Sequence, residues 1–136
     1  MSAQINCIML VDDNKIDNFF HERVIRKNNA ANIILTKESG FEAIEHLKKG
    51  NDEVQPNVIF LDVNMLGMNG WEFIEHYKNM ESRLQNSMIV VMLSTSENPD
   101  DKALAKTHQI LSDFKTKPLT KEMLDEVLEK YSLSKV

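Results

Sequence analysis

The stretch Val58-Ile59-Phe60-Leu61-Asp62 limits what this chain can become more than any other. Four apolar residues run unbroken and stop at a carboxylate. A half-solvated strand would alternate and an amphipathic helix would show a polar side, so a short unbroken run predicts a parallel strand buried on both faces. Pro56-Asn57 before it and Leu66-Gly67-Met68-Asn69-Gly70 after it supply turn signals. Asp62 then sits at the carboxyl end of a central strand, the edge where open α/β sheets place their chemistry.

The pattern recurs along the chain. Ile8-Met9-Leu10-Val11 is a second apolar run and ends in Asp12-Asp13. Ile33-Ile34-Leu35 is a shorter strand. Met88 to Leu93 runs into Ser94-Thr95-Ser96, and a weaker strand from Ile110 to Phe114 leads to Lys115-Thr116-Lys117-Pro118. Helical segments lie between the strands. After Asp13-Asn14 the residues Ile16, Phe19, Phe20 and Val24 fall at helical spacing, with charges on the other face, which predicts a helix that buries this stripe. Ser39-Gly40-Phe41-Glu42 and Asn69-Gly70-Trp71-Glu72 read as capping boxes, with Gly50 stopping the first of these helices. Asn98-Pro99-Asp100-Asp101 is a further helix start. Thr120 caps the last helix, whose buried side is Met123, Leu124, Val127, Leu128 and Tyr131. Strand then helix, five times over, predicts a parallel sheet with right-handed crossovers and helices on both faces.

A chain of 136 residues with these elements is read as one domain, residues 1–136, with its core within about 5–132 and no output domain. The net charge is −5 without a Lys/Arg run, so no nucleic-acid partner is expected. No apolar stretch approaches the ~20 residues of a membrane helix, and Met1 to Asn6 lacks a signal-peptide layout. The expected location is cytoplasmic. Cys7, the one cysteine, is expected to be a buried reduced thiol. His21, His46, His76 and His108 read as solvated surface, and Trp71 as half-buried packing.

The polar residues at the strand ends carry the functional argument. In a parallel sheet Asp12-Asp13, Asp62, Ser94 and Lys117 all come to one rim. Two carboxylates about 4 Å apart at an effective dielectric near 20 repel by about 4 kcal/mol. A raised carboxylate pKa, the Lys117 ammonium or a divalent cation can each relieve this repulsion. An oxygen-only ligand set suits Mg²⁺, and the lack of His or Cys argues against Zn²⁺. Such a site suits phosphoryl transfer, with Asp62 as nucleophile and the cation, Lys117 and Ser94 each taking one phosphoryl oxygen.

Four motifs in this order, Leu10-Val11-Asp12-Asp13-Asn14, Phe60-Leu61-Asp62-Val63-Asn64-Met65, Met92-Leu93-Ser94-Thr95 and Phe114-Lys115-Thr116-Lys117-Pro118, make the chain resemble a response-regulator receiver domain from Ile8 to about Tyr131. The resemblance implies a flavodoxin-like (βα)5 fold with strand order 2-1-3-4-5. It implies that Asp62 accepts phosphate from a histidine kinase or histidine phosphotransfer protein. Mg²⁺ (or Mn²⁺) would be held by Asp12, Asp13, Asp62 and the backbone carbonyl of Asn64. Ser94 would be the switch hydroxyl, Phe114 the aromatic that moves with it, and Lys117 a phosphate contact before a cis proline. The surface that switches to signal to a downstream target protein would span roughly Asp100 to Tyr131, or the domain would relay its phosphate to a partner protein. Leu66 stands where many receivers have proline, Asn69 replaces a common aspartate, Ser94 the commoner threonine, and Thr95 a smaller alanine; no catalytic group is removed.

Two other classes fit parts of the pattern. An Mg²⁺-dependent aspartate-nucleophile phosphatase, similar to the haloacid dehalogenase group, would share Asp62 but needs a second aspartate two residues on, where Asn64 stands. A flavin or nucleotide binder would need a Ser/Thr/Gly-rich phosphate loop after the first strand, where Asp12-Asp13 would repel phosphate. Under the favoured reading the protein turns over no external substrate.

Overall fold

The computed structural model describes residues 5–93 and 111–134, the side chains of 91, 93, 111–114 and 134 excepted. Five strands, β1 (Ile5–Val11), β2 (Ala31–Lys37), β3 (Val58–Asp62), β4 (Met88–Leu93) and β5 (Leu111–Thr116), form one sheet in the order β2-β1-β3-β4-β5. Every neighbouring pair is parallel. Helices α1 (Lys15–Lys27), α2 (Gly40–Lys48) and α3 (Gly70–Lys78) and a C-terminal helix (Lys121–Ser134) cover it. The helix expected after Asn98 and the turn Ser94-Thr95-Ser96 lie outside the described residues.

The unbroken apolar runs follow from a two-sided core. Met9, Val11, Ile59 and Leu61 point to one face and pack with Ala43 and Leu47 of α2 and Phe73, Ile74 and Tyr77 of α3. Their neighbours Ile8, Leu10, Val58 and Phe60 point to the other face and pack with Ile25 of α1 and Leu124 and Val127 of the C-terminal helix. Successive side chains of a strand alternate sides, so a strand covered on both faces needs apolar residues at every position. Cys7 is fully buried in β1, and burial pushes its thiol pKa up to about 11.

Two sequence expectations fail. The stripe Ile16, Phe19 and Phe20 of α1 is 64%, 57% and 53% exposed, and Val24 alone of that set packs against the core. The buried residues of α1 are Asn18, His21 and Ile25. Asn18 donates through Nδ2 to the Asp12 carbonyl at 2.9 Å, and this polar tie together with Ile25 sets which side of the helix faces inward. His21 and His46 are also buried rather than solvated. His46 Nε2 donates to the Val54 carbonyl at 2.6 Å, which satisfies the ring as burial requires. His76 is exposed, and His108 lies outside the described residues.

The loop after β3 is held to the sheet by its helix start. Asn69 and Glu72 form the expected capping box at the start of α3, and the Gly70 N–H donates to the Val63 carbonyl at 2.9 Å. A Cβ on Gly70 would lie 2.7 Å from the Asp62 carbonyl oxygen and 2.8 Å from Val63 Cα. Both are backbone atoms and cannot rotate aside. Gly70→Ala is therefore expected to cost about 1–3 kcal/mol through overpacking, read as a lower urea midpoint; an unchanged midpoint would show that the helix start is free to move off the sheet.

Candidate functional site

Three chain segments deliver carboxylates to the carboxyl edge of the sheet. Asp12 and Asp13 follow β1 directly, and Asp62 is the last residue of β3. Because β1 and β3 are adjacent and in register from Ile8 with Val58 to Val11 with Leu61, their ends meet. One carboxylate oxygen from each of Asp12, Asp13 and Asp62 lies within 4.8 Å of the others. Asp12 and Asp62 are each only 3% exposed, while Asp13 is open to solvent. All three are hard oxygen donors, and a group of this kind fits a hard divalent cation.

Backbone donors fix the carboxylates in place. The Asn14 N–H donates to Asp12 Oδ1 at 2.9 Å, the Leu66 N–H to Asp13 Oδ2 at 3.0 Å, and the Asn64 N–H to Asp62 Oδ1 at 3.2 Å. The loop after β3 thus reaches back to the loop after β1, and Asn64 and Leu66 lie beside the carboxylates through their main chain. Asn64 is exposed at its side chain. Asn14 also caps α1, accepting from the Ile16 and Asp17 N–H groups at 2.9 and 3.2 Å, so the site loop and the helix start share one residue.

Lys117 enters from the far side of the sheet. It follows β5, and the bond to Pro118 is cis, as the resemblance implied. Its Nζ lies 2.6 Å from Asp12 Oδ2, 2.9 Å from Asp17 Oδ2 and 3.2 Å from Asp62 Oδ1. Burial alone would lower the Lys117 pKa, but the hydrogen bonds from Asp12 and Asp17 and the charge of Asp62 outweigh it and raise it, so the ammonium is fixed. Asp62 moves the other way for a carboxylate. Burial first, and the Asp12 charge second, push it up to about 6, with Lys117 and the Asn64 N–H holding it from rising further. At neutral pH it is still mainly ionised and able to act as a nucleophile.

Of the residues singled out from sequence, Asp12, Asp13, Asp62, Asn64 and Lys117 come together here. Ser94 lies outside the described residues, as does the side chain of Phe114, whose backbone belongs to β5. Two further groups at this edge went unread. Asp17 is a third ion-pair partner of Lys117, and its position one turn into the helix after Asp12-Asp13 was the available signal. His21 is buried within reach of the same charges, and burial and then Lys117 lower its pKa, so it is neutral here.

Comparison with known proteins agrees with the geometry. A family model described as the response regulator receiver domain matches residues 8–129. Protein PilG of Pseudomonas aeruginosa is 30% identical over 118 residues, covering 86% of this chain and 80% of PilG. A two component response regulator from Cytophaga hutchinsonii superposes with a TM-score of 0.87 at 30% identity, over 95% of this chain and 98% of that one. A response regulator receiver protein from Dyadobacter fermentans gives 0.82 at 28% identity, over 93% and 97%.

The raised Asp62 pKa sets a stability test in metal-free buffer. Below the ordinary value of 3.8 the group is protonated whether folded or unfolded, and above about 6 the folded chain must carry the buried charge. The stabilisation that favours the protonated native form is thus complete below about 4 and is lost as pH rises through about 6, by roughly 3 kcal/mol. With chelator present, Asp62→Asn is expected to be more stable than the native chain at pH 7.5 by about 1–3 kcal/mol, with the gain shrinking below pH 5. Urea unfolding from pH 4 to 8 measures this; a gain that does not vary with pH would refute the buried charge as its cause.

Proposed function

The chain belongs to the response regulator receiver family of two-component signalling, and from that premise we propose that Asp62 is the phosphoacceptor of this protein. The observation that carries the reading is Lys117 Nζ at 3.2 Å from Asp62 Oδ1, with Asp12 and Asp13 completing the acidic group. The donor is a phosphohistidine of a kinase or phosphotransfer protein. An Asp62 carboxylate oxygen attacks phosphorus; the new P–O bond forms, the P–N bond breaks, and its electron pair leaves on the imidazole nitrogen. Lys117 neutralises charge on a phosphoryl oxygen, an electrostatic role that costs little reorganisation because its ammonium is already held in place.

The carboxylates of Asp12, Asp13 and Asp62 and the Asn64 carbonyl would hold Mg²⁺ or Mn²⁺, which when bound supplies positive charge against both the carboxylates and the phosphoryl oxygens. Ser94 engages the phosphoryl group by its hydroxyl, and Phe114 moves with it. The added charge and acceptors bias the surface from Asp100 to Tyr131, part of which lies outside the described residues, toward a downstream protein. The exposed stripe Ile16, Phe19 and Phe20 on the helix that begins at the site supports protein partners. Residues 1–136 act as one receiver module, with its core within about 5–132. The phosphate is lost to water or relayed to a partner protein, and no external substrate is turned over. No observation favours the aspartate-nucleophile phosphatase. Among the described residues no helix is long and apolar enough to cross a membrane.

Incubation with Mg²⁺ and acetyl phosphate, followed by intact-mass measurement, tests the assignment. One phosphate is expected on the native chain, none with EDTA and none on Asp62→Asn. Lys117→Ala is expected to slow uptake by roughly a hundredfold, the scale of losing one preorganised charge donor. Equal labelling of Asp62→Asn would move the phosphoacceptor to another residue.

A further inference from the structure

Asp17 stands outside the set that the phosphoacceptor chemistry requires, yet it binds the lysine at its centre. Its Oδ2 lies 2.9 Å from Lys117 Nζ, and its own N–H is held by the Asn14 side chain at 3.2 Å. It lies in the first turn of α1, where the helix dipole favours a carboxylate. Lys117 does not need this contact to stay in place, since Asp12 at 2.6 Å and Asp62 at 3.2 Å already anchor it.

The charge count gives Asp17 its consequence. Asp12, Asp13 and Asp62 against Lys117 leave two negative charges, which a divalent cation neutralises. Asp17 adds a third, and it does so on the ammonium that must face the phosphoryl group. An ammonium has three N–H donors, and three carboxylates face this one. One donor is therefore directed away from the phosphoryl group, and part of the lysine charge is cancelled before a phosphodonor arrives.

We infer that Asp17 is a positioning residue that acts through Lys117 to strengthen divalent-cation binding and to slow phosphoryl uptake. The inference rests on the reading of Asp62 as phosphoacceptor. It makes the two steps respond in opposite directions to one charge: more negative charge attracts the cation and repels the incoming phosphate. A residue that merely held the local structure together would weaken both steps when altered.

The test uses the full chain and Asp17→Asn, which keeps an oxygen acceptor for Lys117 but removes the charge. Calorimetric titration with MgCl2 reads cation affinity, and intact mass against time reads the rate of acetyl phosphate uptake at saturating Mg²⁺. Asp17→Asn is expected to weaken Mg²⁺ binding by roughly three- to tenfold and to speed uptake by a similar factor, the scale of one partly screened charge near the site. Asp17→Glu, which restores the charge, is expected to return both values toward those of the native chain. Both values falling together in Asp17→Asn, or both staying within about twofold, would overturn the role of Asp17 while leaving Asp62 as acceptor. A native chain that takes up no phosphate would overturn both readings.

Discussion

One ammonium set among carboxylates is the interaction on which the rest of this site depends. Lys117 faces Asp12, Asp17 and Asp62 at once, with Asp13 close behind. Each carboxylate pair a few ångströms apart would repel by about 4 kcal/mol at an effective dielectric near 20, a large share of the roughly 5–15 kcal/mol that stabilises a whole domain. The lysine and the backbone donors relieve this only in part, and burial first, with the unrelieved Asp12 charge second, leaves the Asp62 pKa raised to about 6. The imbalance has a use. A site left too negative suits a divalent cation, and Asp62 stays mainly ionised at neutral pH, as the proposed attack on phosphorus requires.

The fold brings these groups together through a simple geometric rule. Parallel strands end on the same edge, and β1 and β3 are neighbours in register, so the residue after Val11 and the residue after Leu61 have to meet. The helices on both faces hold that edge in place, since β1 and β3 are anchored by side chains alternating into two separate cores. Gly70 completes the arrangement, because the helix start it opens packs directly on the backbone of Asp62 and Val63. Position at the site is thus inherited from packing well away from it.

Helix α1 shows where reading the chain by periodicity stops working. Ile16, Phe19 and Phe20 have the spacing of a buried stripe and lie in solvent, whereas Asn18 and His21, which look like surface residues, are inside. Periodicity finds the two sides of a helix but not which side has better partners. Here the inward side is chosen by the Asn18 amide, which meets the Asp12 carbonyl, and by Ile25 in the core. The same rotation brings Asp17 to Lys117, a contact across 100 residues of chain that no local pattern announces. The capping box at Asn69, the simpler cap that Ser39 gives the Glu42 N–H and the buried strands were legible because their causes lie within a few residues of one another.

The amino-acid sequence by itself determined the alternation of strand and helix, the unbroken apolar runs and the carboxylates at their ends, since these follow from burial on two faces and from local turn chemistry. It also carried the four motifs that place the chain in the receiver family. Only the tertiary structure decided which carboxylates share the Lys117 ammonium, how far Asp62 is shifted, and which side of α1 meets the sheet. Those outcomes depend on distances between segments far apart in the chain, where charge and packing act through space and leave no periodic trace in the residue order.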